Sequence, residues 1–299
     1  MRKSIIFGTT LLTVAAFLAW RARGETISDP RLPNRQKAAE SLRQAVRDVG
    51  QSQWTTAQIV ERYQSALSEA KRLIGEQSDA VRRLTEALNG LPEAPADSGR
   101  EARRLRDTVE EVAKDLAFAP LKEADLPVGF PSPTPVGEVE LKQYPAYRMA
   151  MSSSGENSAF WQLFNHIKKN DVAMTAPVEM AYDSNEEQLR SKSMAFLYGR
   201  PDMGQIGPDG NVEVVDVPEQ WVVSIGVRGS RTTEKVLEAK QRLVAWLEGN
   251  TSQYLPAGEL RVMGYNSPFV PRNRSYFEVQ IPVSAAVASE RRFEPGVSP

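Results

Sequence analysis

Residues 170–182, Asn-Asp-Val-Ala-Met-Thr-Ala-Pro-Val-Glu-Met-Ala-Tyr, constrain the fold more than any other stretch. With a period of two, Val172, Met174, Ala176, Val178, Met180 and Tyr182 share one face, and Asp171, Thr175, Pro177 and Glu179 lie on the other. That alternation predicts a strand with one buried face. Pro177 has no N–H for a ladder, so the strand is expected at an edge, a bulge or a barrel rim.

The segments around it have the same character. Val139 and Leu141, then Tyr147, Met149 and Met151, alternate with polar neighbours. A helix follows with Phe160, Leu163, Phe164 and Ile167 on one face. Met194, Phe196 and Tyr198 mark a further strand. The pattern then repeats. Val212-Glu213-Val214 echoes Val139-Glu140-Leu141, and Trp221, Val223 and Ile225 answer Tyr147, Met149 and Met151. A second helix runs from about Thr232 to Glu248, with Val236, Leu237, Leu243, Val244 and Leu247 inward. Strands over 260–265 and 276–283 close the unit. Two copies of strand–helix–strand–strand predict an α+β domain over 136–285, one curved sheet or open barrel carrying two helices.

Residues 34–119 read differently. Stripes at Leu42, Ala45, Val46 and Val49, at Ile59 through Ile74, at Val81, Leu84 and Leu88, and at Leu105, Val109, Val112 and Leu116 have helical spacing. They predict a small helical bundle or stalk. Between the two regions, residues 126–135 hold four prolines and read as a stiff, extended linker. Ahead of the helices, a basic start (Arg2, Lys3) precedes an uncharged run from Ser4 to Trp20. Residues 1–24 are therefore expected to be an export signal peptide or a membrane anchor, alternatives that both place the body in the cell envelope, exported or tethered. Residues 286–299 are expected to be a disordered tail.

Composition removes much chemistry. The chain has no cysteine, which excludes disulfides, thiolate nucleophiles and Cys-ligated zinc. It has one histidine, His166, too few for an all-histidine metal cage. A net charge of −1 gives no electrostatic reason to expect nucleic acid. No nucleophile elbow or phosphate-cradling loop is present, so no enzyme is expected.

Met174-Thr175-Ala176-Pro177-Val178, after a helix carrying Phe160 and Ile167, closely resembles the signature of the SOUL haem-binding protein family. Gly264-Tyr265-Asn266-Ser267-Pro268-Phe269 is similar to the family's Gly-Tyr-x-x-Pro-Phe segment. The resemblance covers about 136–285 and implies a distorted β-barrel from a duplicated half that binds haem or a related tetrapyrrole without catalysis. This chain departs from the family before the signature, where His166-Ile167-Lys168-Lys169-Asn170 runs directly into Asp171. On that resemblance Phe160, Leu163, Phe164, Ile167 and Met174 would wall an apolar groove for a planar guest. Lys168 and Lys169 would meet its propionates, and His166 would ligate the metal. The plainer reading of His166 is a partly exposed helix histidine. The alternative function is an envelope module that binds a protein or lipid partner, with the helices as a tether.

Overall fold

In the computed structural model, residues 25–51, 54–91, 98–153, 156–183 and 189–286 are described. The expected signal or anchor, and the expected tail beyond Ala286, lie outside them. Among the described residues no helix is long and apolar enough to cross a membrane.

Four helices form the N-terminal bundle: α1 (Leu32–Gln51), α2 (Thr56–Ile74), α3 (Asp79–Asn89) and α4 (Ser98–Leu116). Helix α2 starts at a reciprocal cap. Thr55 Oγ1 accepts from the Gln58 N–H, and Gln58 Oε1 accepts from the Thr55 N–H. It ends at Gly75, whose φ of 87° suits a residue without a side chain. Ala38, Ala39, Ala45, Ala66 and Ala70 are buried, and their small side chains let α1 and α2 approach closely. Leu42, Leu84, Val109, Val112 and Leu116 fill the rest of the core. Each such aliphatic side chain contributes roughly 1.5–3 kcal/mol by leaving water.

The second unit contains β1 (Val139–Tyr144), β2 (Tyr147–Ser152), α5 (Glu156–Lys169), β3 (Val178–Tyr182), β4 (Ser191–Leu197), β5 (Gly207–Asp209), β6 (Val212–Val217), β7 (Gln220–Arg228), α6 (Thr233–Gly249), β8 (Tyr254–Pro256), β9 (Arg261–Gly264) and β10 (Tyr276–Ala285). The strands form one antiparallel sheet in the order β1-β7-β10-β9-β3-β4-β2-β6-β5, with β8 beside β10. The duplicated half is strand–strand–helix–strand–strand, and the two halves meet at the β9–β3 pair. Each half gives its opening strand to the other: β1 pairs with β7, and β6 pairs with β2.

Two expectations need correction. The sheet is not a closed barrel, because β1 and β5 are its free ends. Where β1 turns into β2 the strands diverge, and the Phe130 ring stands between them, 4.9 Å from Tyr144 and 5.3 Å from Tyr147. The strand predicted from 172 starts only at Val178, and it is interior, between β9 and β4. Residues 170–177 form the turn out of α5. Asp171 takes a positive φ, Val172 N–H donates to Ile167 O, and Thr175 bridges Asp125. Pro177 precedes the first ladder pair, so its missing N–H disrupts nothing there.

The sheet has two unlike faces. Val139, Val223, Ile225, Phe277, Val279, Val262, Met180, Phe196 and Val214 point to the side carrying α5 and α6, and make the main apolar core. From α6, Val236, Ala239, Leu243 and Leu247 enter that core, whereas Val244, expected inward, is exposed. The opposite face carries Lys142, Tyr144, Tyr147, Glu179, Ser224, Arg261, Glu278 and Gln280, all buried. Residues 126–136 lie across it, so the Pro-rich stretch is packed rather than solvated.

Charged side chains join the bundle to the sheet. Arg35, 5% exposed on α1, reaches Glu138 and the carbonyl of Val136. Burial pushes its guanidinium below the ordinary value against the pull of Glu138. Glu138 also accepts the Asp79 N–H at 2.8 Å, so a carboxylate beside β1 caps helix α3. Asp115 of α4 sits between Arg83 at 2.8 Å and Arg228 of β7 at 2.5 Å.

Candidate functional site

Helix α5 places its predicted residues against the sheet. Leu163 and Ile167 are buried, and Phe160, Phe164 and Met174 pack on the same core. Phe160 meets Phe196 edge-on at 5.5 Å and stacks on Phe164. The expected slot is therefore filled by strands β2, β4 and β6.

His166 is 7% exposed, and both ring nitrogens are engaged. Nδ1 is 2.8 Å from Asp209 Oδ2, and Nε2 is 2.7 Å from the Tyr198 hydroxyl. Asp209 also accepts from Lys169 Nζ at 2.8 Å and from Asn170 Nδ2 at 3.3 Å. The hydrogen bonds from Lys169, His166 and Asn170, in that order, lower its carboxyl from 3.8 to about 2. Lys169 thus serves Asp209 instead of a ligand, and Lys168 is exposed at the helix end. Neither His166 nitrogen is left to ligate iron, so these residues do not fit an axially held haem. Among the described residues no three His, Cys, Asp or Glu side chains converge on a possible metal position.

The polar face holds a larger cluster, which sequence reasoning missed. Glu278, fully buried, accepts from Lys142 Nζ at 3.0 Å, the Thr134 N–H at 2.6 Å, Gln280 Nε2 at 2.6 Å and the Tyr276 hydroxyl at 3.2 Å. Burial alone raises such a carboxyl, yet Lys142 and these donors bring it below 4.5. Beside it, Glu179 accepts from the Tyr147 hydroxyl at 3.0 Å and from Arg261 at 3.3 Å. Arg261 Nε donates to Gln280, and its guanidinium lies 5.4 Å from the Tyr144 ring centroid. Two carboxylates face two cations, so the face is internally neutral. The segment above it fits closely: a Cβ at Gly226 would lie 2.2 Å from Thr134 O. This face serves to hold residues 126–136, and its charged groups are shielded from solvent.

A concavity runs beside β1. It is an open groove of about 510 Å³ between Pro30, Arg31, Pro131, Ser132 and residues 140–143. Pro30 and Pro131 give apolar walls, Glu140 and Lys142 line the strand side, and the Leu141 side chain turns away into the main core. Arg31, with a side chain 40% exposed, stands at the rim, bonded to Asp29 at 2.8 Å and to Glu140. Among the described residues the outer edge of β1 has no strand partner. Pro30 and Arg31 lie far along the chain from Leu141, and no local pattern in the sequence joins them.

Distant structural likenesses exist. The EcmrR C-terminal domain is 18% identical, with a TM-score of 0.40, covering 50% of this chain and 98% of that one. A hydrolase from Listeria innocua is 13% identical, with a TM-score of 0.38 and coverages of 51% and 93%. SAV2435 bound to tetraphenylphosphonium is 10% identical, with a TM-score of 0.31 and coverages of 49% and 94%. No curated protein matches the chain. The model of the SOUL heme-binding protein family matches residues 133–282, which contain both resembling motifs and every strand of the sheet up to the last residues of β10. The chain belongs to the SOUL heme-binding protein family.

Proposed function

We propose that this chain binds haem or a related tetrapyrrole without catalysis, in the groove beside β1, and does so in the cell envelope. The observation that carries the reading is an open concavity of about 510 Å³ beside Pro30 and Pro131, with an arginine at its rim, in a chain of this family. Small-molecule sites of roughly 300–1,000 Å³ with apolar walls and few polar groups are the common kind. A flat macrocycle would lie against Pro30 and Pro131, and its carboxylates would compete with Asp29 and Glu140 for Arg31. None of the residues lining the groove is His, Cys, Met or Tyr, so the reading rests on the macrocycle and its acidic arms. His166 stays outside the site.

A visible-range titration of the full chain with hemin, repeated with metal-free protoporphyrin, tests this. A saturable one-to-one spectral change with both is expected. Pro30→Glu and Arg31→Ala should each weaken it, the latter by about tenfold for a lost charge-assisted pair. Featureless difference spectra would overturn the reading.

The unpaired edge of β1 favours a second reading, in which an extended peptide adds a strand there. Porphyrin-insensitive capture of such a peptide, lost in a proline substitution at Gln143, would select it.

A further inference from the structure

The loop joining β9 to β10 leaves an apolar side chain in water. Phe269 is 63% exposed, and Pro268 and Pro271 flank it on the surface. Arg272 and Arg274 follow, both exposed, and neither forms an ion pair among the described residues. The loop base is tied by hydrogen bonds. Ser267 N–H donates to Glu123 at 2.6 Å, and the Tyr276 N–H donates to Asn266 at 3.0 Å. A loop held this firmly presents Phe269 rather than leaving it unburied by slackness.

Its position gives the exposure a direction. Asn266 Nδ2 donates to Leu121 O at 3.0 Å, Leu121 bridges Thr26, and the Lys122 N–H donates to Glu25 O. The loop therefore sits where the chain arrives from residues 1–24, whose sequence is uncharged from Ser4 to Trp20 and then basic at Arg21 and Arg23. Lys122 lies at the same place, paired with the exposed Glu25 and Asp125.

We propose that residues 268–274 are a lipid-contacting tip, with Phe269 and its prolines at the bilayer interface and Arg272 and Arg274 on anionic headgroups. Aromatic side chains suit the membrane–water interface, and basic residues there are attracted to anionic lipid. One apolar segment tethers a chain without orienting it, whereas a second contact fixes which side faces the bilayer. This inference is independent of any ligand in the β1 groove.

The absence of cysteine makes the test direct. The full chain carrying Phe269→Cys, or Glu219→Cys at the far end of β7, is labelled with an environment-sensitive fluorophore. Each is placed in phosphatidylcholine vesicles with roughly a third phosphatidylglycerol. The label at 269 should shift to shorter wavelength and be quenched by lipid-borne nitroxide, and the label at 219 should do neither. Arg272→Glu with Arg274→Glu should move the 269 label back toward water on these vesicles. The proposal is overturned by a 269 label as wet as that at 219, by a shift without lipid quenching (a protein contact), or by chain that floats free of the vesicles.

Discussion

The backbone N–H of Thr134 donates to the buried Glu278 carboxylate at 2.6 Å, fastening the Pro-rich segment to β10 two residues from its start. Because Lys142 shares that carboxylate, removing one partner leaves the other charge buried and uncompensated. Glu278→Gln should cost about 3–5 kcal/mol of unfolding free energy by urea titration. Adding Lys142→Met should recover part of that loss, and additive costs would show that the pair is not coupled.

The same pair sets a pH window. The folded Glu278 carboxyl lies below 4.5, so its contribution is present above 4.5 and is lost as pH falls through the folded value. Lys142 is raised above 10.5, despite a burial that alone would lower it, because Glu278 faces it. Its contribution is present below 10.5 and is lost as pH rises through the folded value. Urea midpoints should therefore be flat through neutrality and fall at both extremes, with the acid limb reduced in the double variant.

At Gly226, Ala would place a Cβ against the backbone oxygens of Thr134 and Pro135, neither of which is the end of a flexible side chain. Gly226→Ala should cost about 1–3 kcal/mol, the range of forced overpacking. Protease cleavage within 126–136 should become faster. Unchanged cleavage would show that the segment is not held there.

Asp209 should titrate at about 2 by carbon-13 carboxyl resonances, and Lys169→Ala, which removes its foremost donor, should raise that value. Its contribution to stability is present above 3.8 and is lost as pH falls toward about 2.

Replacing His166 by Ala takes the hydrogen-bond partner from the buried Tyr198 hydroxyl, while Asp209 keeps Lys169 and Asn170. Loss of about 1–3 kcal/mol is expected from the unmet partner. The spectrum of bound hemin should stay unchanged, and a displaced Soret band would return the ring to the iron.

Element types were legible because periods of two and 3.6 are local properties, and so was the echo of Val139 in Val212. Strand order was not, since nothing near β1 announces β7 as its partner. The Pro-rich stretch reads as linker from composition, because proline and serine favour solvated extended chain. What pins it are Gly226 and Glu278, whose buried and unusual settings no local pattern reveals. His166 was legible as a candidate by rarity alone. Its satisfaction depends on Asp209, in a glycine-rich turn, and on Tyr198 at the end of β4. Pro177 was read correctly as unable to join a ladder, but the strand simply begins one residue later.

The exchange of opening strands between the halves has a consequence for how the chain comes into being. Neither repeat can finish its sheet from its own residues, so the first must wait, with β1 and one edge of β2 uncovered, until β6 and β7 have been synthesised. Late, long-range closure of this kind slows folding and exposes strand edges meanwhile. A gene cut between the copies should yield two insoluble fragments that recover only when refolded together.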